Sequence, residues 1–122
     1  SREAPVAIVD GAVEQAALKF SPERLELIYS DPARRTQTLW FSGQLATLLE
    51  LKAATLEGHP TASEQIAVRR LKEPDPSTGA LRHGVELTLR SQPPPGGGEA
   101  KLVIATGLTD PLRVVVDVSF RN

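Results

Sequence analysis

Apolar residues recur at helical spacing in Val13, Ala16, Ala17 and Phe20. Asp10 stands ahead of them as a side chain able to accept free backbone N–H groups, and together they predict an amphipathic helix over Asp10–Phe20. The period then shortens to two. Leu25-Glu26-Leu27-Ile28-Tyr29 predicts a strand, although Ser21-Pro22-Glu23 just before it is also a helix start. Asp31-Pro32 marks a turn, after which Thr36–Phe41 predicts a second strand joined to the first as a hairpin. Its Thr36, Thr38 and Trp40 share one face, and Gln37, Leu39 and Phe41 the other. Ser42 then precedes a stripe of Leu45, Leu48, Leu49, Lys52 and Leu56, and Gly58 ahead of His59-Pro60 supplies a stop. This segment predicts a second helix over Gly43–Glu57.

Further along, Gln65–Leu71 and Val85–Arg90 alternate as strands, with Val85, Leu87 and Leu89 inward and a turn-rich loop, Glu73–Gly79, between them. The run Gln92-Pro93-Pro94-Pro95-Gly96-Gly97-Gly98-Glu99 predicts a flexible loop, since proline lacks a donor and glycine has most freedom to lose. A last strand pair, Lys101–Thr106 and Leu112–Phe120, closes the chain. Val114, Val116, Val118 and Phe120 fall on one face of its final member. These elements predict one α+β domain over residues 1–122. Two helices, Asp10–Phe20 and Gly43–Glu57, would cover one face of an antiparallel sheet with an extra C-terminal strand pair.

Composition bounds the chemistry. A chain of 122 residues with 40% hydrophobic content suffices for one core, built on aliphatic residues because aromatics make up only 4%. Fourteen Lys and Arg against fifteen Asp and Glu give a formal net charge of −1, which supplies no field for nucleic acid. The pairs Arg34-Arg35 and Arg69-Arg70 suit local carboxylate contacts or solvated strand and turn positions. The chain contains no cysteine, which excludes disulfides, thiol catalysis and iron–sulfur ligation. The first residues carry no signal-peptide hydrophobic region, and no apolar run reaches the length of about 20 residues that spans a bilayer.

No motif brings a reactive group into a catalytic setting. His59 lies between Gly58 and Pro60, and His83 beside Gly84, neither with a second ligand at helical spacing. No serine sits in a Gly-x-Ser-x-Gly elbow. Gly96-Gly97-Gly98 leads through Glu99 into a strand, whereas a phosphate loop leads through Lys-Ser or Lys-Thr into a helix. Glu23 with Glu26, and Asp75, read as solvated surface carboxylates. The sequence therefore predicts a non-enzymatic domain with no cofactor, no metal and no nucleic-acid partner.

The run Leu39-Trp40-Phe41-Ser42-Gly43-Gln44-Leu45-Ala46-Thr47-Leu48-Leu49-Glu50-Leu51, with Ile66–Leu71 and Leu81–Leu89 after it, resembles a known periplasmic domain. It is that of the inner-membrane assembly proteins of type II secretion systems and type IV pili, the protein M family and its counterpart PilO. In that family a strand and a Gly-containing turn lead into a helix with paired leucines, then a strand, a loop and a last alternating strand. Residues 92–122 depart from the pattern. The resemblance implies a ferredoxin-like fold, homodimerisation, and pairing with a second inner-membrane assembly protein. It also implies a location on the periplasmic side of the bacterial inner membrane, with a membrane anchor upstream of residue 1.

The resulting expectation is a protein–protein interaction and dimerisation domain, because two helices cannot cover all of the apolar strand surface. Its candidate interaction residues are Leu39, Phe41, Leu45, Leu48, Leu49, Leu112 and Val115. The alternative is a regulatory ferredoxin-like domain that binds a small anion at Ser42, Gly43 and Gln44, where the second helix would begin.

Overall fold

The computed structural model describes residues 18–109 and 112–122, and in it eight strands form two four-stranded sheets. In chain order these are β1 (Lys19–Ser21), β2 (Arg24–Ile28), β3 (Thr36–Ser42), β4 (Ala53–Glu57), β5 (Ile66–Pro74), β6 (Leu81–Leu89), β7 (Gly98–Ala105) and β8 (Arg113–Arg121). A 3-10 turn covers Gln44–Leu48, and a single helical turn, α1, covers Ala62–Gln65. The first sheet runs β1-β3-β6-β5 and is antiparallel throughout. The second runs β2-β8-β7-β4, with β2 parallel to β8 and the other pairs antiparallel.

Alternation along each strand decides what lies between the sheets. Leu39 and Phe41 of β3 and Val85, Leu87 and Leu89 of β6 turn inward from the first sheet and are buried. Leu25 and Leu27 of β2, Leu102 and Ile104 of β7, and Val114, Val116, Val118 and Phe120 of β8 meet them from the second. Each such side chain contributes about 1.5–3 kcal/mol when fully buried, so the shared interior holds the two sheets together without any disulfide.

The strand order is that of immunoglobulin-type sandwiches, A-B-E-D packed on G-F-C. The first edge strand is split. β1 pairs with β3 in one sheet, the chain crosses at the cis Ser21–Pro22 bond, and β2 pairs with β8 in the other. The chain has no cysteine to bridge the two sheets, and its single tryptophan stands outside the core. Trp40, on β3, points out of the sandwich over Gly84, where an added Cβ would lie 2.5 Å from the indole.

This architecture corrects the ferredoxin-like α+β expectation. The segment Gly43–Glu57 is not a helix. After Gln44–Leu48 it extends into β4, where Ala54 lies opposite Ile104 and Leu56 opposite Leu102. The leucine stripe fitted a period of 3.6, but Ala53–Glu57 also fits a period of two, and pairing with β7 satisfies its backbone while closing the core. Leu48, at the centre of the supposed packing face, is 64% exposed. Of the expected helix Asp10–Phe20, residues 10–17 lie outside the described residues, and Lys19–Ser21 is a strand. The predicted hairpin of the first two strands is also absent, because β2 and β3 belong to different sheets. The Pro/Gly run makes a tight turn in which Gly97 N–H donates to Pro94 O at 2.9 Å, and β7 begins already at Gly98.

Candidate functional site

A sandwich leaves four strand edges. Three are short, with β1 of three residues and β2 and β4 of five, whereas β5 runs for nine. Its partner β6 takes only half of its backbone groups. Arg90 N–H donates to Gln65 O at one end (2.7 Å) and Asp75 N–H to Ala80 O at the other (2.8 Å). The register between them runs unbroken from Ile66↔Leu89 to Pro74↔Leu81. Odd-numbered residues of β5 therefore aim their backbone groups at β6, and even-numbered residues aim theirs away. Ile66 N–H turns back to Ala62 O, and Pro74 has no N–H, so Val68, Arg70 and Lys72 carry the outward donors and acceptors.

Beside this edge lies an open groove of about 570 Å³ lined by Glu50, Leu51, Val68, Arg70, Lys72 and His83. Arg70 Nη1 donates to the carbonyls of Leu51 (2.9 Å) and Lys52 (3.0 Å), tying the edge of the first sheet to the lead-in of β4. Lys52 Nζ contacts Glu50 Oε1 at 2.9 Å, and this bond and charge, with Lys72 adding, hold the Glu50 carboxyl below its ordinary value. Among the described residues Lys72 forms no ion pair. His83 is 9% exposed. Burial chiefly, and Lys72 beside it, lower its pKa, so the ring is neutral at neutral pH.

The opposite face of the same strand is built differently. Arg69 reaches Glu86 through two contacts, Nε to Oε1 at 3.2 Å and Nη2 to Oε2 at 3.4 Å. Leu71 lies across from Gly84, whose other neighbour is Trp40, and the Arg82 guanidinium stacks 3.9 Å from the indole centroid. An apolar and cationic row thus crosses the outer face of the sheet from Trp40 and reaches the edge at Leu71.

The sequence-predicted site residues scatter. Leu39, Phe41 and Leu49 belong to the core at 0%, 2% and 4% exposure, so the folded domain cannot offer them to a partner. Leu45 is half-buried against that core. Leu48 on the 3-10 turn, Leu112 before β8 and Val115 on the outer face of β8 are exposed but occupy three separate elements. The apolar surplus that suggested a docking face is taken up by the second sheet. At the alternative anion site, Ser42 ends β3, and Gly43 at φ 101° leads into a five-residue turn rather than a helix. The residues of the β5 edge were not singled out from sequence apart from Arg69-Arg70. A readable signal existed in the closing Pro74, since strands that end in proline favour sheet edges.

Among the described residues the two histidines do not assemble a catalytic group. His59 is committed to structure, its ring edge-to-face with Phe120 at 5.0 Å and its Nδ1 accepting from Thr61 N–H at 3.2 Å. Among the described residues no three His, Cys, Asp or Glu side chains gather to hold a metal, and no helix is long and apolar enough to cross a membrane. Compared with protein-family models, curated proteins and solved structures, the chain matches none. The class it defines is thus set by topology: an immunoglobulin-type sandwich with one long open edge.

Proposed function

We propose that the chain is a non-catalytic protein-interaction domain that takes an extended segment of another polypeptide onto β5 as a fifth strand of the first sheet. One observation carries this reading, the outward backbone groups of Val68, Arg70 and Lys72 beside an open groove. A row of unpaired donors and acceptors is a template for strand pairing, and proteins that do not use such an edge usually shorten or cover it. The short β1, β2 and β4 edges of this molecule follow that rule, whereas β5 keeps nine residues and is guarded only by the charges of Arg70 and Lys72 and by the closing Pro74. The secretion-platform setting came from a resemblance that also implied a ferredoxin-like fold, which this sandwich does not have, and it is not carried forward. An immunoglobulin-type architecture serves many unrelated functions and adds no partner of its own.

Panning random linear peptides against the domain tests the proposal. Peptides recovered on the native domain should lose binding to the variant Val68→Pro/Arg70→Pro, which deletes outward N–H groups and spares the bonds to β6. Undiminished binding to a variant that still melts cooperatively would refute strand addition.

A further inference from the structure

Resting on the strand-addition reading, we infer that the segment accepted by β5 is acidic, with carboxylates at alternate positions flanking an apolar residue, and is not a second copy of this chain. A strand laid along the open edge sets each residue beside one of β5, on the same face. Its residues opposite Arg70 and Lys72 fall on the groove side, and the residue opposite Leu71 falls on the outer side. The order acid, apolar, acid therefore matches Arg70, Leu71 and Lys72 in either strand direction.

Charge favours this order at each position. On the groove side stand Arg70 and Lys72 against Glu50, with Arg69 at the rim on the outer face, while the whole chain carries a net charge of −1. Arg69 and Glu50 are already matched, by Glu86 and Lys52. Arg70 bonds only carbonyl oxygens, and Lys72, though near Glu50, forms no ion pair among the described residues, so neither cation facing an incoming strand is held by a carboxylate. Opposite Leu71, an apolar side chain would extend the row that runs from Trp40 across Gly84.

The same residues reject self-pairing. Because outward groups sit on even-numbered residues, two antiparallel copies of β5 meet even to even. Registers centred on residues 69 to 72 then place Arg69 on Arg69, Arg70 on Arg70, Arg70 on Lys72, or Lys72 on Lys72. Like charges directly opposite destabilise a ladder.

Fluorescence anisotropy on the whole domain tests the inference with three labelled peptides. They are Thr-Val-Glu-Val-Glu-Val-Thr, its lysine counterpart Thr-Val-Lys-Val-Lys-Val-Thr, and Thr-Glu-Glu-Val-Val-Val-Thr, which splits the carboxylates between faces. The first should bind about tenfold or more tighter than either control. Lys72→Glu, a solvated position with no ionic partner to lose, should remove that preference, and Val68→Pro should abolish binding of the first peptide. Equal binding of the glutamate and lysine peptides, both lost in Val68→Pro, would overturn acid selectivity while leaving strand addition intact. Binding that survives Val68→Pro, or that ignores the splitting of the carboxylates, would show mere charge attraction and overturn both. A dimer in sedimentation whose formation Val68→Pro prevents would establish self-pairing instead.

Discussion

Leu48 and Leu49 are neighbours in sequence with opposite fates, and the contrast measures how far periodicity alone can be trusted. As a helix stripe the two would pack together. In the sandwich Leu49 is 4% exposed and Leu48 64% exposed, because the 3-10 turn presents them to opposite sides. Leu49→Asp should cost more than about 4 kcal/mol by burying an unpaired charge, whereas Leu48→Asp should change stability by no more than about 0.5 kcal/mol. Urea unfolding of both variants checks this. His83 adds a pH dependence. Its folded pKa lies below the ordinary 6.5, chiefly through burial, so between the two values the unfolded chain binds a proton that the folded chain refuses. Its contribution is complete above the unfolded value and drains away as pH falls through it. Melting temperature should therefore decline between about pH 7.5 and 5, and His83→Gln should flatten part of that decline.

Strands were the legible elements and their partners were not. Alternation located β2, β3, β5, β6, β7 and β8 to within a few residues, because each shows one wet and one dry face. Nothing in that alternation says what covers the dry face. Leu39 and Phe41 are inward whether a helix or a second sheet lies above them, and only long-range pairing of β4 with β7 decides the matter. The candidate site was hidden for the same reason. That β5 lies at an edge depends on its having β6 on one side and, among the described residues, no strand on the other, a fact of topology that local pattern does not encode. Proline scanning of β5 makes the edge visible. Arg69→Pro removes an N–H aimed at β6 and should cost about 3 kcal/mol or more, while Val68→Pro removes an outward one and should cost clearly less. Thermal melts of the two variants give the comparison, and equal losses would mean that both sides of the strand are paired.

At the scale of the whole molecule, two sheets bury an aliphatic interior and leave the charges at the surface, some of them in ion pairs. On the outer face of the second sheet Lys101 contacts Asp117, and that bond and charge, with Arg24 adding, hold the Asp117 carboxyl below its ordinary value. Glu26 has Arg34 at 3.5 Å and Arg121 at 3.9 Å. Pairs this exposed contribute little to stability. The β5 edge sets open backbone groups beside two cations, Arg70 and Lys72, that form no ion pair among the described residues. Amide hydrogen exchange, resolved by residue, reads that edge most directly. In the free domain the amides of Val68, Arg70 and Lys72 should exchange rapidly while those of Ala67, Arg69 and Leu71 are protected. Saturation with Thr-Val-Glu-Val-Glu-Val-Thr should slow the first three. Protection of all six before any peptide is added, or rapid exchange of Val68, Arg70 and Lys72 in the saturated complex, would contradict an open edge that works by receiving a strand.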